Sequence, residues 1–117
     1  MNIPEKIKKN YLFRKVYSKG RYYAETCLVL YVLKNDEDTT NKVGYSVSKK
    51  IGNSVKRNRV KRLMRENFRK ISDKIKPGYL IVFTARPKSS EASYYDIERE
   101  MINAMKRARL FKEDVKK

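Results

Sequence analysis

Apolar positions along this chain follow two different spacings, and the places where one gives way to the other mark its elements. Leu12, Phe13, Val16 and Tyr17 recur at helical spacing between Asn10, a capping residue type, and Gly20, a stop. A short helix over residues 11–18 is predicted. Residues 26–34 form a continuous run of β-formers, predicted as a central strand, with a short strand over 21–25 before it. The segment NDEDTTN, residues 35–41, has the composition of a hairpin connection. Residues 42–48 then alternate, with Val43, Tyr45 and Val47 on one face and Gly44, Ser46 and Ser48 on the other, as a half-buried strand requires.

A longer helical period follows over 55–71, capped by Ser54, with Val60, Leu63, Met64, Phe68 and Ile71 as its apolar stripe. Pro77 and Gly78 break the chain before YLIVFTA, a second buried strand. Pro87, Ser89 and Ser90 mark a loop. Ser93 and Asp96 form a capping box that opens a last helix with core face Tyr94, Ile97, Met101, Met105 and Ala108. The order helix, two or three strands, helix, strand, helix predicts an α/β (α+β) sandwich: one small sheet of about four strands with helices packed on it. With 117 residues, no internal repeat and only short linker-like stretches at 35–41 and 74–78, a single domain over residues 1–117 is expected.

Charge changes the picture more than size does. Thirty Lys and Arg stand against 13 Asp and Glu, a net +17 on a chain without histidine. Self-repulsion on so small a body calls for a neutralising polyanion. The charge is also a patch, since residues 42–76 carry 13 basic and 2 acidic side chains and so supply +11. Residues 54–70 alone hold eight basic and one acidic. On a helix, Asn58, Arg62, Arg65 and Arg69 follow steps of 4, 3 and 4 and make one spine, flanked by Arg57 and Lys61, with the apolar stripe roughly opposite. Lys56 and Arg59 belong to the same basic run. Lys49 and Lys50 precede it in an Ile51-Gly52-Asn53 turn, where free helix amides add backbone donors for an anion. The bland alternative is an ordinary solvated face. Guanidinium forks in this density suit the phosphates of a folded RNA or a DNA duplex.

Nine tyrosines and four phenylalanines, without tryptophan, add a second theme. Phe13 and Tyr17 lie one helical turn apart and Tyr31 lies mid-strand, with Arg14, Lys15 and Arg21 nearby. Basic grooves lined with such rings hold single-stranded nucleic acid, each stacked base contributing ~1–3 kcal/mol. Phe13 fits a core stripe as well as a cleft. Tyr17 and Tyr31 favour the cleft, because a hydroxyl prefers a wet edge. Tyr22 and Tyr23 receive no assignment.

The missing histidines exclude Ser-His and Cys-His catalysis, an imidazole base and a His-containing zinc site. Phosphodiester hydrolysis would then need carboxylates converging on metal ions. Asp36, Glu37 and Asp38 are consecutive in a polar loop and read as solvated, while Glu66 reads as a local ion-pair partner. No catalytic residue and no metal site are expected in the protein. The lone Cys27 sits in an apolar run, reads as a small buried hydrophobe and cannot form an intramolecular disulfide. No apolar run approaches the ~20 residues needed to span a bilayer. With no secretory pattern over the first thirteen residues, a soluble, cytoplasmic protein without a membrane partner is expected.

Residues 42–69, with the VGYSVSKKIGN turn followed by RNRVKRLMRENFR, resemble the signature of the bacterial ribonuclease P protein component, most specifically over 43–69. Upstream, KKNYLFRKVYSKGRYY resembles that family's N-terminal helix and CLVLYVL its following strand, so the likeness covers nearly the whole chain. The resemblance implies a subunit that assembles with a catalytic RNA to remove the 5′ leader of precursor tRNA. It implies that Arg57, Asn58, Arg59, Lys61, Arg62, Arg65 and Arg69 contact that RNA, and that Phe13, Tyr17 and Tyr31 line a central cleft for the single-stranded leader. Tyr17 stands where many relatives have phenylalanine. Mg2+ would be held mainly by the RNA partner and substrate. The implied fold places the basic helix in a left-handed β-α-β crossover, against the general right-handed rule.

Three rivals stand beside this reading. A ribosomal or other structural RNA-binding protein would share the composition but not the 43–69 motif. A DNA-binding module using residues 56–70 lacks the helix-turn-helix pattern and any dimerisation heptad, so no DNA partner is expected. A protein-only nuclease lacks histidines and clustered carboxylates.

Overall fold

The computed structural model describes residues 5–35 and 39–112, so the Asp36-Glu37-Asp38 loop lies outside the described residues. In chain order the elements are β1 (Glu5–Lys6), α1 (Asn10–Lys19), β2 (Arg21–Ala24), β3 (Leu28–Lys34), β4 (Lys42–Ser46), α2 (Ser54–Ile71), β5 (Tyr79–Ala85) and α3 (Tyr94–Arg107). The strands form one five-stranded sheet in the order β1-β4-β5-β3-β2. β4 runs parallel to both β1 and β5, whereas β3 is antiparallel to β5 and β2. The chain therefore passes from β4 through α2 to its parallel neighbour β5, the expected β-α-β crossover.

Two sides of the sheet are covered, and the alternation of β3 and β5 shows how. Leu28, Leu30, Val32, Ile81, Phe83 and Ala85 join the apolar stripes of α2 and α3 in one core, with Val60, Leu63, Met64, Phe68, Ile97, Met101 and Met105. Leu80 and Val82 point the other way and meet Ile7 and Val16, with Leu12, Phe13, Tyr31 and Leu33 half-buried around them. Burying both faces needs a continuous apolar strand, which is why Leu80, Ile81, Val82 and Phe83 are all buried.

The predicted helices and strands are present, with four differences. The run at 26–34 is β3, an interior strand between β5 and β2 as predicted, but it begins at Leu28 rather than Thr26. A continuous apolar run signals two covered faces, while its first residues can still belong to the turn. Ser54 is the first residue of α2; its cap is Asn53, whose side chain accepts the Lys56 amide at 2.9 Å. Asn10 likewise lies inside α1, behind Lys9, which makes no capping bond. The strand count is five rather than about four because of β1, two exposed residues held by backbone bonds from Glu5 N to the Asn41 carbonyl and Ile7 N to the Val43 carbonyl. The Ser93–Asp96 capping box is formed as predicted.

Cys27 is buried, as expected, and its amide donates to Glu100 Oε1 at 2.6 Å. Burial, then the Glu100 carboxylate, pushes the thiol pKa up to about 11. Pro87 and Ser89 fall in a short 3-10 turn, Pro87–Glu91, that leads into α3.

Candidate nucleic-acid interface

Burying Val60, Leu63, Met64, Asn67 and Phe68 fixes how α2 rotates on the sheet. Asn58, Arg62 and Arg69 are left exposed and Arg65 half-exposed, so the spine faces outward. Among the described residues, Arg62 pairs with Glu66 alone, at 4.0 Å one turn on. An exposed pair this long contributes ~0–1 kcal/mol and leaves the guanidinium available. Arg65 and Arg69 lie near β4. Burial raises the pKa of the Tyr45 phenol, and the charges of these two arginines act against that rise.

Not every basic side chain of the run is equally free. Arg57 Nη1 donates to the Gly52 carbonyl and Arg59 Nη2 to the Ala92 carbonyl, both at 2.8 Å. Lys61 is half-buried and Lys56 exposed. Lys70 is engaged on α3, donating to Glu98 Oε2 at 2.6 Å with its ammonium 4.8 Å from the Tyr94 ring centroid. That Glu98 hydrogen bond, with one to Tyr94, raises its pKa.

Lys49 and Lys50 sit in a 3-10 turn, Lys49–Ile51, whose opening Ser48 hydroxyl accepts the Lys50 amide at 3.3 Å. Ile51 is buried and pins the turn, while both lysines are exposed. Gly52 closes it at φ 149°, a conformation that L side chains rarely adopt. The Arg57 bond to the Gly52 carbonyl then ties this turn to the first turns of α2.

The aromatic group forms on the opposite face of the sheet, between α1 and strands β3 and β2. Tyr17 meets Tyr31 edge to face at 4.8 Å between centroids, and Phe13 lies 6.4 Å from Tyr17. Gly44 explains the seat of Phe13, since a Cβ added there would come within 2.6 Å of the ring. Phe13 is therefore both half-buried core and one wall of the group. Tyr17 is 38% exposed and its hydroxyl lies 3.0 Å from Thr84 Oγ1 on β5. Arg14, on the turn between Phe13 and Tyr17, is exposed. Tyr22 adds a fourth ring 6.1 Å from Tyr31. Tyr23 turns to the other side, packs against the α2–α3 core and carries Arg107 over its ring at 5.6 Å.

Strand β4 joins the two surfaces. Ser46 lies beside Thr84 in the register, on the aromatic side, and Lys49 follows three residues later. Among the described residues, no three His, Cys, Asp or Glu side chains cluster so that they could hold a metal ion. No helix of the described residues is long and apolar enough to cross a membrane.

Comparison with known proteins agrees with this architecture. The family model for ribonuclease P matches residues 1–109. The chain belongs to the ribonuclease P protein family. It is 50% identical over 108 residues to the ribonuclease P protein component of Clostridium novyi, covering 92% of this chain and 96% of that one. The Clostridioides difficile component is 50% identical over 102 residues, with 86% and 89% covered. Among solved structures, the Staphylococcus aureus RNase P protein superposes with a TM-score of 0.86 at 35% identity, covering 93% of this chain and 99% of that one. The Thermotoga maritima RNase P protein gives 0.75 at 25% identity, with 85% and 93% covered. The ribonuclease P family thus accounts for the whole sheet and all three helices.

Sequence reasoning missed Thr84 and Tyr22 on the aromatic side. Thr84 reads only as part of a buried strand, and nothing local says that α1 will lie over it. Tyr22 has a signal, two residues of strand alternation from Ala24, but its face depends on pairing with Tyr31.

Proposed function

We propose that this chain is the protein subunit of ribonuclease P and works as a two-sided RNA adaptor. The α2 spine (Asn58, Arg62, Arg65, Arg69), with Lys49, Lys50, Lys56 and Lys61, binds the catalytic RNA. Arg57 and Arg59 act there with the donors left after their backbone bonds, a guanidinium having five. Phe13, Tyr17 and Tyr31, with Arg14 beside them, hold the 5′ leader of precursor tRNA by stacking and charge. The observation that carries this reading is the linkage through β4: one strand sets an aromatic, single-strand-type surface a few residues from a basic helix suited to structured RNA.

The subunit assists endonucleolytic removal of the leader, and the catalytic centre lies in the RNA. Among the described residues, no three carboxylates cluster so that they could hold a magnesium ion, and Glu66 lies against Arg62. In this reading magnesium ions belong to the RNA partner and substrate. The protein's part is to neutralise phosphates and position the leader, lowering the magnesium or substrate concentration that the RNA needs. Cleavage of precursor tRNA by RNA alone, protein alone and both tests this. Activity of the pair at magnesium too low for RNA alone is expected; cleavage by the protein alone would overturn it.

A further inference from the structure

The trio Phe13, Tyr17 and Tyr31 does not use up the aromatic surface. Tyr22 stands directly opposite Tyr31 in the β2–β3 register, its ring 6.1 Å away and tilted by 41°. A cross-strand aromatic pair stabilises a sheet by itself. Yet Tyr22 is 68% exposed, so its partner covers only a minority of it. The neighbouring Tyr23 shows what a structural tyrosine looks like in this strand: half-buried against the core and covered by Arg107. Among the described residues β2 is an outer strand of the sheet, with no further strand beside it to wall off the ring. The rings of Tyr17, Tyr31 and Tyr22 thus form a lateral series from beneath α1 to open solvent.

The geometry points to Tyr22 as an additional base-stacking position at the outer end of the cleft, holding one more nucleotide of a single-stranded RNA than the trio does. The inference rests on the leader-binding reading above and extends it. An aromatic face accepts any base, so this position lengthens the bound segment without selecting its sequence.

The test is equilibrium binding of the assembled holoenzyme to precursor tRNAs whose leaders grow one nucleotide at a time. With wild-type protein, affinity is expected to keep rising for one nucleotide beyond the length at which Tyr22→Ala levels off. Tyr22→Ala should weaken long-leader binding about 5- to 160-fold, the worth of one stacked base, and leave mature tRNA unchanged. Tyr22→Phe should behave as wild type. Tyr22→Leu keeps apolar bulk against Tyr31 without a π-face, so it should lose what Tyr22→Ala loses even if the alanine variant folds poorly. Tyr95→Ala, on exposed α3 surface, serves as the control. Wild-type plateaus in both Tyr22→Ala and Tyr22→Leu would overturn the role of Tyr22 alone. An affinity independent of leader length in wild type would overturn the leader-binding reading and this inference with it.

Discussion

The Tyr17 hydroxyl and the Thr84 hydroxyl meet at 3.0 Å across 67 residues of chain, fastening the outer end of α1 to the middle strand of the sheet. The contact holds the Tyr17 ring edge-on to Tyr31 rather than free to turn into solvent. A hydrogen bond at so exposed a site adds only ~0.5–1 kcal/mol net. Tyr17→Phe is therefore expected to cost about that much in urea denaturation while keeping leader-dependent binding. Tyr17→Ala should lose the binding as well. Equal losses of binding in both variants would mean that the hydroxyl, not the ring, does the holding.

Gly44 and Phe13 give a sharper case. A methyl at position 44 meets Phe13 Cζ at 2.6 Å, against a ring held between α1 and the sheet. Gly44→Ala should destabilise the fold by about 1–3 kcal/mol, the usual range for overpacking. Adding Phe13→Leu should return part of that loss. A double-mutant cycle by thermal or urea unfolding reads the coupling, and strictly additive effects would mean that the two residues do not touch.

On α2, two arginine classes should separate cleanly. Arg62→Ala or Arg65→Ala is expected to leave stability within about 0.5 kcal/mol. Each should flatten the salt dependence of RNA-subunit binding by roughly one unit for every phosphate that the side chain neutralises. Arg59→Ala leaves the Ala92 carbonyl without its charged donor and should lower stability by about 1–2 kcal/mol. Urea titration tells the classes apart, while the log K against log salt plot is expected to flatten for Arg59→Ala as well, through the donors that its backbone bond leaves free.

The Cys27 thiol provides a pH test. Its pKa rises from 9.0 in the open chain to about 11 in the fold. Between those values the unfolded chain has released the proton and the folded one has not, so stability falls as pH rises from 9 to 11. Cys27→Ala should show a shallower alkaline decline than wild type. At pH 8 a thiol reagent should label the native protein slowly and the unfolded protein at once. Fast labelling of the native state would contradict the burial.

What the sequence makes legible follows from what is local. The period of α2 and its apolar stripe, the bounds of β5 and the Ser93–Asp96 box depend on neighbours in the chain, and they appear as predicted. Asn53 and Ser54 are both capping types, and local composition cannot choose between them. The choice falls to the turn, where Gly52 at positive φ reverses the chain one residue earlier. β1 has no pattern to read, because two exposed residues are held wholly by backbone bonds. The outward spine of α2 was readable from spacing. That Arg57 and Arg59 reach the Gly52 and Ala92 carbonyls was not, because those partners arrive through tertiary packing.

Among the described residues β1 pairs with β4 only at Lys42 and Val43, so Tyr45 and Ser46 have no strand on that side and leave a short sheet edge beside the basic helix. Bare edges invite strand-to-strand association between copies. A free subunit with a charge of +17 repels its own kind at the range where such pairing would begin. The same lysines and arginines that suit a phosphate backbone thus act as a solubility guard before RNA is met. That protection weakens as ionic strength shortens the reach of the charge to ~8 Å at physiological salt and ~3 Å at 1 M.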